Sequence, residues 1–251
     1  MLPQAGEIGE SQVELLDLML ACVNSYHTPD RQNQASYKCM ADFASLRLDY
    51  TAQSLDEYEV DRDPVRQFSV WFEQAVSAGL REPNAMTLAT ATRDGVPSAR
   101  VVLLKEFDER GFVFYTNYGS QKGRELAENP QAALVFFWNE LERQIRLQGV
   151  VEKVTRAESE AYFKVRPVKS RFGAAVSPQS SSVAGGRKWL EERMAALEAE
   201  FGEEGPPCPA NWGGYRLVPH AIEFWQGRRS RLHDRVLYTR ANPWTIERLA
   251  P

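Results

Sequence analysis

The sequence predicts a mainly β chain of the α+β class, built as an antiparallel barrel with flanking helices. Three observations lead there. From Ala85 onward, short runs rich in β-branched and aliphatic residues recur. Most are joined by tight turns, Asp94-Gly95 being the strongest hairpin signal. Neither a G-x-G-x-x-G turn nor a P-loop is present to mark a doubly wound sheet.

Size and composition narrow the function. A chain of 251 residues can bury a real core, and its 43% hydrophobic and 25% charged content is that of an ordinary globular protein. A net charge of -4 gives no reason to expect nucleic acid or an anionic membrane as partner, so local basic clusters read as sites for small anions. Cys22, Cys39 and Cys208 lie far apart, and with His27, His220 and His233 they form no metal-ligand spacing. Neither a disulfide framework nor a metal site is expected, and a reducing, cytoplasmic setting fits. No apolar run reaches the length of a membrane span. The apolar positions between Val13 and Val23 are interrupted by Glu14 and Asp17, and Glu7 and Glu10 make the start acidic, which disfavours a signal or transit peptide. Residues 1–62 read as an N-terminal extension containing a short helix.

The folded domain is expected over residues 63–251. Asp63 caps a helix opening on Pro64, with Phe68, Trp71, Phe72, Ala75 and Val76 at helical spacing. Strands follow at 85–92, 98–105 and 112–117. Ser120 caps a short helix that ends before Asn129-Pro130, and strands run over 132–138 and 144–154. Thr155 and Glu158 fit a capping box for a helix from Arg156 to Arg166, where Pro167 halts it. A helix over 187–201 carries Trp189, Leu190, Met194 and Leu197 for packing. Beyond the proline-rich loop at 205–209, closing strands are expected at 215–218, 221–225, 236–240 and 244–249.

Several stretches carry chemistry. Trp225 to Arg235 reads WQGRRSRLHDR; if the part beyond Gly227 is extended, Arg231, His233 and Arg235 leave one face. Such a group repels itself unless an anion or carboxylate sits among it; Asp234 and Glu223 offer the alternative of an internally balanced surface turn. Tyr162 and Arg166 share a helix face with Ser170 close behind, the makings of a phosphate grip. Ser120, Gln121 and Lys122 stand at a helix N-terminus, where N–H groups favour phosphate, although a cap with a solvated lysine has the same sequence. Arg100 and Lys105 face opposite sides of their strand, Gln144 and Arg146 share a face, and 179–182 is a polar run.

In order, NAMTLATATRDGVPSARVVLLK, FYTNYGSQKGREL, RQIRLQG, YFKVRPVKSRFGA, SPQSS, EFWQGRRSRLHDR and ERLAP resemble the pyridoxine (pyridoxamine) 5'-phosphate oxidase family, over roughly residues 47–251. The resemblance implies an FMN-binding split β-barrel that works as a homodimer, with FMN at the subunit interface. It implies that Arg100, Val101, Val102 and Leu103 line the flavin, with Arg100 on its phosphate. Tyr115, Thr116, Gln121 and Lys122 continue that site, and Gln144, Gln179, Ser180, Trp225 and Arg235 complete it. The substrate phosphate falls to Lys105, Tyr162, Arg166 and Ser170. Arg231, Leu232 and His233 lie over the substrate ring, Arg231 and His233 being the catalytic pair, and Arg47 to Tyr50 close as a lid. The family usually has Arg where this chain has Gln121, which implies weaker flavin affinity.

The implied activity is oxidation of pyridoxine 5'-phosphate and pyridoxamine 5'-phosphate by O2 to pyridoxal 5'-phosphate, with hydrogen peroxide released. A hydride equivalent must leave a carbon beside an aromatic ring, and side chains alone offer no acceptor for it. The alternatives are another flavin oxidoreductase of the same barrel, such as a phenazine-pathway oxidase or a deazaflavin-dependent reductase, and a non-catalytic carrier of FMN or pyridoxal phosphate.

Overall fold

The structure is a computed structural model that describes residues 49–51 and 53–251; the helix expected near 13–23, and Arg47 and Leu48 of the expected lid, lie outside the described residues. Helix α1 (Pro64–Ser77) opens as its sequence dictates. The Asp63 carboxylate accepts the Val65 N–H at 2.9 Å, and Pro64 stands in the first turn, where a missing N–H is harmless. The core also draws on Leu55 and Val60, ahead of that cap.

Nine strands form one sheet among the described residues: β1 (Ala85–Ala91), β2 (Pro97–Leu103), β3 (Glu106–Asp108), β4 (Gly111–Asn117), β5 (Gln131–Trp138), β6 (Arg143–Lys153), β7 (Trp212–Gln226), β8 (Asp234–Thr239) and β9 (Thr245–Arg248). The order is β2-β1-β5-β6-β7-β4-β3, with β8 on β7 and β9 on β8, and every pairing is antiparallel. Phe68 of α1 shows that the sheet curls. Its ring lies 4.8 Å from Phe107 on β3, 4.9 Å from Phe112 on β4 and 5.2 Å from Phe136 on β5, although β3 and β5 are far apart in the order. Only a sheet bent into a partial barrel brings those strands to one side chain.

Strand β7 does the most structural work. Along one side it pairs with β6; along the other, residues 212–217 pair with β4 and residues 221–226 with β8. The sequence predicts two strands broken near Pro219, but the structure has one. Pro219 and His220 fall where the partner changes from β4 to β8 and where the β6 register shifts beside Gly149, so the missing proline N–H breaks no ladder that β7 needs there.

Among the described residues, four more α-helices flank the barrel: α2 (Gln121–Glu128), α3 (Arg156–Val165), α4 (Val168–Val176) and α5 (Gly186–Phe201). The Thr155/Glu158 capping box forms as expected at the start of α3. Helix α4 was not legible: Pro167 ends α3 but also stands at the N-cap of α4, its carbonyl accepting the N–H groups of Ser170 and Arg171. Helix α5 runs as expected: Trp189, Leu190, Met194 and Leu197, with Phe201, are half-buried, and its other residues are exposed. Among the described residues, no helix is long and apolar enough to cross a membrane.

Candidate active site

A cavity of about 710 Å³ opens between β2, β4 and the α3–α4 pair. Val101, Val102 and Leu103 of β2 line it, followed by Lys105, which leaves the strand because β2 ends at Leu103. Tyr115 and Thr116 come from β4, Lys122 from α2, Tyr162 from α3, Ser170 from α4, and Arg166 from the junction of α3 and α4; Gln179 and Trp212 also line the cavity. Lys105, Lys122 and Arg166 are cations, and no carboxylate lines the cavity among the described residues. Such a lining selects anions.

The cavity has two polar ends. At one, Lys122 is only 7% exposed, and its ammonium donates to Thr116 Oγ1 at 3.3 Å and Gln179 Oε1 at 3.4 Å, while Thr116 donates to Gln179 at 3.0 Å. Burial, and then the charge of Arg100, push the Lys122 pKa below its ordinary value. At the other end, Tyr115 stacks on Tyr162 with centroids 4.0 Å apart and on Trp212 at 5.3 Å. Burial raises the Tyr115 hydroxyl to about 12, so it stays protonated. The Arg166 guanidinium lies 4.8 Å over the Trp212 ring, and its Nη1 is buried with no hydrogen-bond partner.

Arg100 does not line the cavity. Its guanidinium turns toward β1 and α2, donating to Thr90 Oγ1, Ser98 Oγ and Glu125 Oε2, the last at 3.3 Å. Gln121 also donates to Glu125, at 2.9 Å, and is likewise absent from the wall. Ser180 follows Gln179 with a left-handed φ of 65° and is not in the lining.

The remaining expected residues gather in a second cluster. Gln144, Trp225 and Arg235 are in register across β6, β7 and β8. His233 packs 4.6 Å from the Trp225 ring, and Tyr50 sits 5.8 Å from both. A Cβ on Gly227 would lie 2.7 Å from the Tyr50 ring, so only glycine admits that contact. Arg231, His233 and Arg235 do not share a strand face as the sequence suggested. Residues 229–231 form a short turn in which Ser230 and Arg231 take left-handed φ values of 56° and 61°, and β8 begins only at Asp234. The charges are balanced internally: Arg235 pairs with Glu223 at 2.8 Å, Arg146 pairs with the same carboxylate, and Arg228 lies 3.5 Å from Asp234. Arg231 and Leu232 stay exposed, Leu232 at 70%.

His233 Nδ1 accepts the Arg228 backbone N–H at 3.1 Å, which leaves the proton of the neutral ring on Nε2. Burial, then the charge of Arg231, lower its pKa, with Asp234 opposing.

Trp212 and Glu125 were missed in the sequence. The adjacent Gly213 and Gly214 held the signal for Trp212: a Cβ on either would collide with Tyr118 or Tyr115, which marks β7 as packed against aromatic rings.

The family model described as pyridoxamine 5'-phosphate oxidase matches residues 72–200, and one described as the pyridoxine 5'-phosphate oxidase C-terminal dimerisation region matches residues 212–251. The chain belongs to the pyridoxamine 5'-phosphate oxidase family. A relative from Trichormus variabilis named pyridoxine/pyridoxamine 5'-phosphate oxidase is 61% identical over 210 residues, 83% of this chain and 98% of the relative. One of the same name from Burkholderia thailandensis is 58% identical over 216 residues, 84% of this chain and 100% of the relative. Among solved structures, PhzG from Burkholderia lata in complex with tetrahydrophenazine-1-carboxylic acid is 33% identical, with a TM-score of 0.76 over 80% of this chain and 99% of that one. An FMN-binding protein from Nostoc punctiforme, related to pyridoxamine 5'-phosphate oxidase, has a TM-score of 0.62 at 18% identity over 75% of this chain and 98% of that one, a likeness of fold alone. In this pyridoxamine 5'-phosphate oxidase family member, nearly all of the cavity wall falls in the first matched segment. Trp225, Arg231, His233 and Arg235 fall in the dimerisation region.

Proposed function

We propose that this chain is an FMN-dependent oxidase that converts pyridoxine 5'-phosphate and pyridoxamine 5'-phosphate to pyridoxal 5'-phosphate, with O2 reduced to hydrogen peroxide. The observation that carries this reading is the buried, unpartnered Arg166 Nη1 in a cavity that Lys105, Tyr162 and Ser170 also line. A buried donor without an acceptor costs about 1–3 kcal/mol, and a phosphate monoester supplies the acceptor.

The residues fit FMN as well. The cavity is of the size that small ligands and cofactors occupy, roughly 300–1,000 Å³, and its Lys122–Thr116–Gln179 end offers a second anion site. In this assignment Lys122 and Gln179 hold the cofactor phosphate, with Arg100 behind them, and Val101 to Leu103 line the ring system. Bound FMN supplies the hydride acceptor.

The chain's own residues bind and orient the substrate. Arg166, Lys105, Tyr162 and Ser170 grip its phosphate. Arg231 and His233 come from a second copy of the chain, since they do not line the cavity of their own. His233 acts as a neutral donor through Nε2, not as a base, because its Nδ1 already accepts from Arg228. The dimerisation-region match supports the assembly.

The test is an absorbance spectrum of the purified protein under air with pyridoxine 5'-phosphate, with peroxide and pyridoxal phosphate assayed in the same cuvette. A yellow protein making both products is expected, with pyridoxine lacking the phosphate a poor substrate. A flavin-loaded protein that makes no peroxide would move the function to a carrier. Equal turnover with a substrate lacking phosphate would move it to another oxidase of the barrel.

A further inference from the structure

Glu125 of α2 is 6% exposed and takes no part in the cavity wall, yet four side chains converge on it. Its Oε2 accepts from Thr90 at 2.5 Å, Ser98 at 2.6 Å and Arg100 at 3.3 Å, and its Oε1 accepts from Gln121 at 2.9 Å. The polarity of this network is fixed. A guanidinium only donates and a carboxylate only accepts, so both hydroxyls must receive from Arg100 and donate to Glu125. One edge of Arg100 is therefore clamped by three groups from β1, β2 and α2.

From this geometry we infer that Glu125 is a positioning residue for the phosphate end of the cavity. Through Thr90 and Ser98 it fixes the Arg100 guanidinium behind the wall at the Lys122 end of the cavity, so that its charge is held in place before an anion arrives. The inference rests on the reading of Arg100 and Lys122 as the cations of the cofactor phosphate. Two neighbouring cations repel each other when no ligand is bound, and a fixed carboxylate offsets that repulsion. The carboxylate is itself secure. Burial opposes its charge, but the bonds from Ser98, Thr90, Gln121 and Arg100 prevail and hold its pKa at about 2. The same carboxylate occupies Gln121, whose amide would otherwise be free to turn toward the phosphate.

The readout is the preference of the apoprotein for FMN over riboflavin, which lacks the phosphate, taken from dissociation constants by flavin fluorescence. In E125Q the amide keeps the shape but turns an N–H2 group toward donors, and in E125A the clamp is gone. Both variants should lose FMN affinity by about tenfold with riboflavin affinity unchanged. R100A should lower the preference by at least as much, and R100A/E125Q no further than R100A alone. Equal loss for both ligands in the Glu125 variants, no loss, or tighter FMN binding would overturn the positioning role. A normal preference in R100A would overturn the reading of Arg100 itself, a failure distinct from that of Glu125.

Discussion

Single side chains set the chemistry of the cavity, and three of them make separable predictions. Lys122→Ala should weaken FMN retention roughly ten- to hundredfold, since a buried ammonium makes charge-assisted bonds, and flavin fluorescence during dialysis measures it. Arg231→Leu should leave FMN bound but slow turnover at saturating substrate by roughly tenfold or more; unchanged kcat would remove Arg231 from the chemistry. The pH profile tests His233. Protonating Nδ1 turns an acceptor into a donor against the Arg228 N–H, so kcat/KM should fall as pH drops through a value below the ordinary 6.5. Because Arg231 is one cause of that depression, Arg231→Leu should move the inflection upward. The types of these residues were legible from the sequence because cations and hydroxyls sit at helix ends and turns. The direction in which Arg100 points was not, since it depends on Glu125, a residue twenty-five positions away that spacing cannot pair with it.

At the scale of elements, α1 is the part whose loss should matter most. Phe68 is fully buried against rings from β3, β4 and β5, so Phe68→Ala should cost about 3–5 kcal/mol by denaturant titration. A loss below about 1 kcal/mol would mean that α1 does not hold the curled sheet together. The strands and α1 to α3 could be read from alternation, capping residues and Pro64, because those signals are local. What escaped was decided by tertiary contact. The three residues of β3 are too few to show alternation, α4 is started by the proline that ends α3, and β7 continues through Pro219 only because its neighbour changes there.

At the scale of the whole molecule, most of the expected site residues divide between the cavity and the Trp225–His233 cluster, while Arg100 and Gln121 meet at Glu125. If each working site combines one group from each of two chains, variants damaged in different groups should rescue each other. Arg166→Met and Arg231→Leu, each nearly inactive alone, should recover about a quarter of wild-type activity after dissociation and random re-pairing, because half the dimers then carry one intact site of two. No recovery, with mixed dimers shown to form, would place both groups in one chain. Acid should also weaken the fold. The Glu125 carboxylate, held at about 2 against an ordinary 4.5, contributes stability that is present above 4.5 and lost as pH falls toward 2. In E125Q that part of the acid transition should be absent from a plot of unfolding free energy against pH.

Strand β7 carries Trp212, under the Arg166 guanidinium, near one end and Trp225, beside His233, near the other. Thirteen steps at about 3.3 Å make a contour of roughly 40 Å between them. If a second chain completes the pocket, as proposed, the strand acts as a ruler that keeps a chain's own loop from its own pocket, and turnover is tied to encounter between molecules. Dilution should therefore extinguish specific activity while circular dichroism still reports folded chains, and concentrating the same sample should bring it back.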